Sequence, residues 1–126
     1  MNHYLLLRVL SLFLAWRGVA VMHTPDRANI AADIASTDAD EREADILTSI
    51  ALHESDGHWN AIGDGGAAHG AWQVHGDPSA AEALRRLRHS EAVCGRWDLT
   101  LYAGCGTCGS CPETVASLLD PMRPRR

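Results

Sequence analysis

The chain predicts a small, mainly helical domain with a turn-rich middle, on three observations. Apolar residues recur at helical spacing in three stretches: Leu6, Val9, Leu10, Phe13 and Leu14; Ile46, Leu47, Ile50 and Ala51; and Ala83, Leu84 and Leu87. Six of the 11 glycines fall between residues 57 and 78, which marks that segment as a Gly-rich loop or a short β-ribbon. The length of 126 residues fits one domain, and an apolar fraction of 46% is enough for a core.

Two readings of the first apolar segment stand side by side. Val9 to Trp16 is its longest uncharged run; eight residues are too few to span a bilayer, so no stable membrane span is expected. The run fits the hydrophobic part of an export signal, with Gly18-Val19-Ala20 as a small-residue cleavage site. It equally fits an ordinary buried helix. Residues 1–35 are therefore set apart as an N-terminal apolar helix or signal-like segment. Within it, Thr24-Pro25-Asp26 reads as a break and Ala28 to Ala35 as a short helix.

The main domain is expected over residues 36–120. Ser36-Thr37-Asp38 reads as a helix start, with a capping hydroxyl and the acids Asp38, Asp40 and Glu41 at the positive end of the dipole. That helix should end near Gly57, where glycine allows a left-handed cap. Ala80 to Arg88 is a second strong helix and Leu99 to Ala103 a short apolar stretch. Gly104 to Pro112 is a Cys/Gly loop, and Thr114 to Leu119 forms a last helical turn or two. Residues 121–126 read as a flexible tail.

Eleven basic against 16 acidic residues leave a net charge of -5, which argues against a nucleic-acid partner. Residues 33–64 concentrate nine acids against one Arg. This acidic block leads into the segment that carries chemistry.

Ile50-Ala51-Leu52-His53-Glu54-Ser55 closes a helix. After a loop comes Ala67-Ala68-His69-Gly70-Ala71-Trp72-Gln73-Val74, and later Leu101-Tyr102-Ala103-Gly104. These segments resemble the lysozyme-like transglycosylase family of soluble lytic transglycosylases and goose-type lysozymes. The family's pattern is a helix ending in Glu-Ser, then Gly-x-x-Gly-x-x-Gln plus an aliphatic residue, then Ala-Tyr-Asn-x-Gly. Ala103 stands where that last segment has Asn. The resemblance implies an α+β lysozyme-like fold whose ribbon or loop lines a glycan cleft. It implies a peptidoglycan-cleaving muramidase acting on the MurNAc–GlcNAc β-1,4 bond, most specifically a lytic transglycosylase with one catalytic carboxyl, Glu54. Ser55, Gln73 and Tyr102 would contact substrate or orient the acid. A non-catalytic lysozyme-like component of a wall-binding or assembly apparatus is the alternative. No cofactor is expected. Peptidoglycan strands would be the partner, within an exported or phage-associated setting in which phage or secretion proteins also bind.

The residues themselves point the same way. Glu54 lies at a helix C-terminus, whose dipole disfavours a second negative charge, and Leu52, Trp59 and Ile62 are close enough in sequence to desolvate it. Both effects favour the neutral acid that a glycosidase proton donor requires. Gln73 either binds sugar amides and hydroxyls or braces its loop. Trp59 and Trp72 either stack on sugar rings or pack the core. Asp56 and Asp64 are spare carboxylates. Asp64, in Gly63-Asp64-Gly65, suits a turn and a substrate contact. Were either to face Glu54 across roughly 6.5–9.5 Å, inverting hydrolysis would follow.

His53-Glu54-Ser55-Asp56-Gly57-His58 is not a zinc-protease helix, because its second His is one residue too far along. Cys94, Cys105, Cys108 and Cys111 are open to two disulfides, a structural zinc or free thiols.

Overall fold

The computed structural model describes residues 1–16 and 24–122. Over these residues the chain forms a mainly helical domain with a small antiparallel sheet. The helices are α1 (His3–Trp16), α2 (Thr24–Ala35), α3 (Glu41–Ser55), α4 (Ala80–Cys94) and α5 (Pro112–Leu119). Three two-residue strands, β1 (Ile62–Gly63), β2 (Ala68–His69) and β3 (Val74–His75), lie between α3 and α4. No helix among the described residues is long and apolar enough to cross a membrane.

Helix α3 is the hub, since it touches each of the other four helices. Ile46, Leu47, Ile50, Ala51 and Leu52 are fully buried on it, and each large aliphatic removed from water contributes about 1.5–3 kcal/mol. Its start differs from expectation. Ser36 and Thr37 do not open α3; their hydroxyls donate to the Ala32 and Ile34 carbonyls and close α2. The cap is Asp40, whose carboxylate accepts the Glu43 N–H while the Glu43 carboxylate accepts the Asp40 N–H. This reciprocal box satisfies two otherwise orphaned donors.

Helix α1 packs on α2 and α3 through Leu5, Val9 and Phe13. Leu14, expected on the apolar face, is 51% exposed, because the buried stripe starts one residue earlier, at Leu5. Arg8 grips Asp45 of α3 with two bonds of 2.7 and 2.8 Å. The cleavage-site candidate Gly18-Val19-Ala20 lies outside the described residues. Helix α2 begins at Thr24, so Pro25 opens the helix instead of breaking it. A first-turn proline forfeits no helical hydrogen bond.

The strands pair in the order β1-β2-β3, with Ile62 opposite His69 and His69 opposite Val74. Trp72 anchors this ribbon to the hub: it is buried and donates its indole N–H to the Leu47 carbonyl at 2.8 Å. Gly70, at φ 78°, is required twice over. Its backbone is left-handed, and a Cβ there would lie 2.8 Å from Pro78 Cβ and 3.1 Å from the Pro78 carbonyl oxygen.

Helix α4 continues past the expected end at Arg88 to Cys94, where a disulfide joins it to Cys108. A second disulfide joins Cys105 to Cys111. All four thiols are therefore consumed, which sets aside a zinc site built from Cys94, Cys105, Cys108 and Cys111. Of the expected tail, Pro121 and Met122 belong to a 3₁₀ turn, Asp120–Met122, packed on α3. Residues 123–126 lie outside the described part.

Candidate active site

Glu54 is the penultimate residue of α3. Just beyond it Asp56 adopts φ 52°, and the N–H groups of Asp56 and Gly57 bond back to Leu52 and Ala51. The backbone then leaves the helix axis, and the Glu54 side chain stays at the helix tip, about one-third exposed (32%). His53 Nδ1 lies 3.5 Å from one of its oxygens.

The ribbon forms the second wall. Gln73 sits at φ 50°, held there by its own side chain: Nε2 donates to the Ala61 carbonyl at 3.0 Å and the Gly70 carbonyl at 2.9 Å. A Cβ on Gly63 would collide with Gln73 Oε1, so the amide is seated where β1 leaves space for it. Asp64 starts the turn between β1 and β2 and reaches His75 Nε2 of β3 at 3.2 Å.

The third wall is the turn after α4. Ser90 Oγ is buried in α4, donates to the Asp98 carbonyl at 2.7 Å and accepts the Leu101 N–H at 3.1 Å. This fixes the turn that presents Tyr102. The Tyr102 hydroxyl is sealed from solvent and has no hydrogen-bond partner among the described residues. Burial pushes its phenol well above the ordinary range, the Glu54 carboxylate adds to that, and the Arg86 cation opposes it.

These walls enclose a cavity of about 360 Å³ lined by Glu54, Asp64, Trp72, Gln73, Tyr102 and Arg86, together with Val74, His75, Ala103 and Gly104. The size lies within the range of small-molecule sites. Five of the six residues singled out from the sequence thus meet in one place. The sixth, Ser55, does not line it: its hydroxyl donates to the Ala51 carbonyl one turn back, which satisfies the group inside its own helix. Trp72, weighed as a sugar platform or a core residue, is core at 1% exposure and contributes only the floor. Gln73 braces the loop with both N–H bonds.

The apolar neighbours expected around Glu54 are elsewhere. Leu52 is buried in the core and Ile62 is 73% exposed on β1. Trp59 lines two other cavities, of about 290 and 390 Å³, neither of which contains Glu54. Trp72, Val74 and Tyr102 form the apolar wall in their place. Asp56 is outside the cavity, which leaves Asp64 as its second carboxylate.

Arg86 and His75 are the polar residues that sequence reasoning missed. Arg86 lies among Arg85 and Arg88 on α4, a run that reads as a solvated face. Its Nε bonds Glu82 at 3.0 Å and its Nη2 the His75 carbonyl at 2.7 Å, turning it toward the ribbon.

A small α-rich domain with a three-stranded ribbon, and a polar cavity between the ribbon and two helices, is the class that this fold and site define. The chain matches no protein-family model, no curated protein and no solved structure.

Proposed function

We propose that this chain is a peptidoglycan-cleaving muramidase that acts as a lytic transglycosylase on the MurNAc–GlcNAc β-1,4 bond. The observation that carries the reading is the meeting of Glu54, Gln73 and Tyr102, from three distant segments, around one sugar-sized cavity. In the proposed reaction the Glu54 carboxylic acid donates its proton to the bridging oxygen as the bond from that oxygen to C1 of MurNAc breaks. The GlcNAc side leaves as an alcohol. The Glu54 carboxylate then takes the proton of the MurNAc 6-hydroxyl, whose oxygen bonds C1 and closes a 1,6-anhydro ring. Glu54 ends protonated, as it began, and no water is consumed.

The surroundings support this division of labour. Glu54 is open enough to reach substrate yet has an apolar wall on one side. Tyr102 lines the cavity with its hydroxyl sealed and unsatisfied behind the wall, and such a group is expensive unless something bonds it. The neighbouring Glu54 carboxylate is the acceptor that a side-chain shift on substrate binding would supply. Asp64 is engaged with His75 at the cavity edge, which makes it a contact for sugar hydroxyls more than a second catalytic group.

Mass spectrometry of peptidoglycan digested by the wild-type protein is the test. Anhydro-sugar ends support the transglycosylase. Reducing ends convert the reading to a hydrolase, with Asp64 as the group to examine for water activation. Absence of products under conditions where the protein binds glycan removes catalysis and leaves a non-catalytic wall-binding component.

A further inference from the structure

Arg86 braces α4 against the ribbon and, in doing so, lines the cavity. Helix α4 has 15 residues and Arg86 sits in its first half, where it could have remained in solvent as Arg85 does, at 66% exposure. Instead it is fixed from two sides. Glu82 holds Nε at 3.0 Å and the His75 carbonyl holds Nη2 at 2.7 Å. Those contacts occupy one edge of the guanidinium and leave Nη1 without a hydrogen bond among the described residues. Glu82 is not the private partner of Arg86, because Arg85 binds the same carboxylate with bonds of 2.7 and 2.8 Å. Two guanidiniums share one carboxylate, and the trio retains one positive charge at the cavity wall. The rest of the cavity rim is acidic or neutral, and the whole protein carries -5. A pre-oriented cation in such a setting is a recognition group for an anion, since a fixed guanidinium loses little side-chain freedom on binding a carboxylate.

We propose that Arg86 is a specificity residue that binds the lactyl carboxylate of a muramic-acid sugar, so that the cavity prefers glycan strands whose lactyl groups are free over strands in which they are amidated. This rests on the muramidase reading and names the form of substrate within it. The lactyl ether is what distinguishes muramic acid from N-acetylglucosamine. Its carboxylate is the only charge that a peptide-free strand carries, so it is the one group there that a guanidinium selects by charge. Amidation keeps the shape and removes the charge. Arg86 acts here on binding; proton transfer remains with Glu54.

The test measures binding to the Glu54→Gln protein, so that no strand is consumed. Peptide-free strands with free lactyl carboxylates are compared with the same strands after conversion of the carboxylates to amides. The free-acid strands should bind about tenfold or more tightly, and the preference should shrink as salt rises. Arg86→Gln added to this protein should erase the preference, weakening free-acid strands about tenfold more than amidated ones. Arg86→Lys should keep part of it. Arg96→Gln, which removes an exposed positive charge outside the cavity, should keep all of it. Thermal melting checks that each variant folds. Equal binding of the two strand types, or an equal loss on both from Arg86→Gln, overturns the role of Arg86 while leaving the muramidase reading intact. Failure to bind either strand type, with no cleavage by the wild type, overturns both.

Discussion

The chain uses arginine and carboxylate in two regions, to opposite effect. Between α3 and α4, Arg42 meets Glu91 with bonds of 2.7 and 2.8 Å, and Arg88 meets Glu43 with bonds of 2.7 and 3.0 Å while also reaching Asp38. Each carboxylate is held by a paired guanidinium. Arg88 and the Asp40 N–H hold Glu43 below the usual carboxylate range, and Arg42 does the same for Glu91 against the burial that would raise it. Around the cavity the same residue types are left incomplete. Tyr102 has an orphaned hydroxyl, Arg86 shares its counter-ion, and the Glu54 carboxyl has His53 as its ion-pairing neighbour among the described residues, at 3.5 Å. Paired ionic networks rigidify a fold even where, as at the buried Arg42 Nε, a donor has no partner among the described residues, whereas groups with spare bonding capacity along a cavity are where a ligand gains energy by arriving. The difference separates the clamp that holds α4 against α3 from the site that the clamp positions.

The largest effect should come from the incomplete side. Glu54→Gln should lower peptidoglycan cleavage about a thousandfold, within the range for loss of a general acid–base. It should leave the melting temperature nearly unchanged, because the side chain is partly exposed and supports no other element. Turbidity clearing alongside calorimetry measures both, and undiminished clearing would remove Glu54 from the mechanism. In the clamp, Glu43→Ala should do the reverse. It strips the α3 capping box and two bonds from Arg88, together about 2–3 kcal/mol. That is about 10 °C in Tm for a domain of this size, with activity per folded molecule unchanged at a temperature where the variant is native. Tyr102→Phe is the sharper test. Deleting a buried hydroxyl that bonds nothing should stabilise the protein by about 1 kcal/mol while lowering turnover about tenfold. A lowered Tm would mean that the hydroxyl is bonded in solution, and the contrast between the two regions would lose its clearest member.

The clamped region is largely legible in the sequence and the cavity only in part. The periodicity of Ile46, Leu47, Ile50 and Ala51 locates α3, and Ala83, Leu84 and Leu87 locate α4, because a helix reports its buried face locally. The cap moved from Ser36 to Asp40, since both sites offer suitable oxygens and only packing decides which helix end claims them. Glu54, Gln73 and Tyr102 were found through motif residues. Their neighbours were not, because the left-handed Asp56 sends the chain away from the helix tip. Leu52, Trp59 and Ile62 are thus near Glu54 in sequence but line no wall beside it, and Tyr102 and Arg86 arrive from beyond the ribbon. Disulfide pairing was equally hidden: four cysteines permit three connectivities, and the bend of the 104–112 loop chooses Cys94–Cys108 with Cys105–Cys111.

The smallest predicted effect tests the member that joins the two regions, Glu82. Arg85 and Arg86 together lower its carboxyl from an ordinary 4.5 to about 2. A carboxyl depressed in the folded state binds its proton more readily in the unfolded chain. Its contribution is therefore complete above about pH 4.5 and is lost as pH falls toward 2. Both ion pairs lie at the surface of α4, so the contribution is a few tenths of a kcal/mol per pair. Glu82→Gln should thus lower Tm by about 2–4 °C at pH 7, by less at pH 3 and by only a small remainder of that at pH 2, where the folded carboxyl is half protonated. A deficit as large at pH 2 as at pH 7 would show that Glu82 acts through packing or its role near the Ser79 cap, not through charge. Asp33 runs the other way: burial and Asp77 raise its carboxyl, so its ionised form opposes folding and acidification relieves that cost. Subtracting the variant's Tm from the wild type's at each pH cancels Asp33, which is common to both, and isolates the charge that Glu82 contributes to holding Arg86 in place.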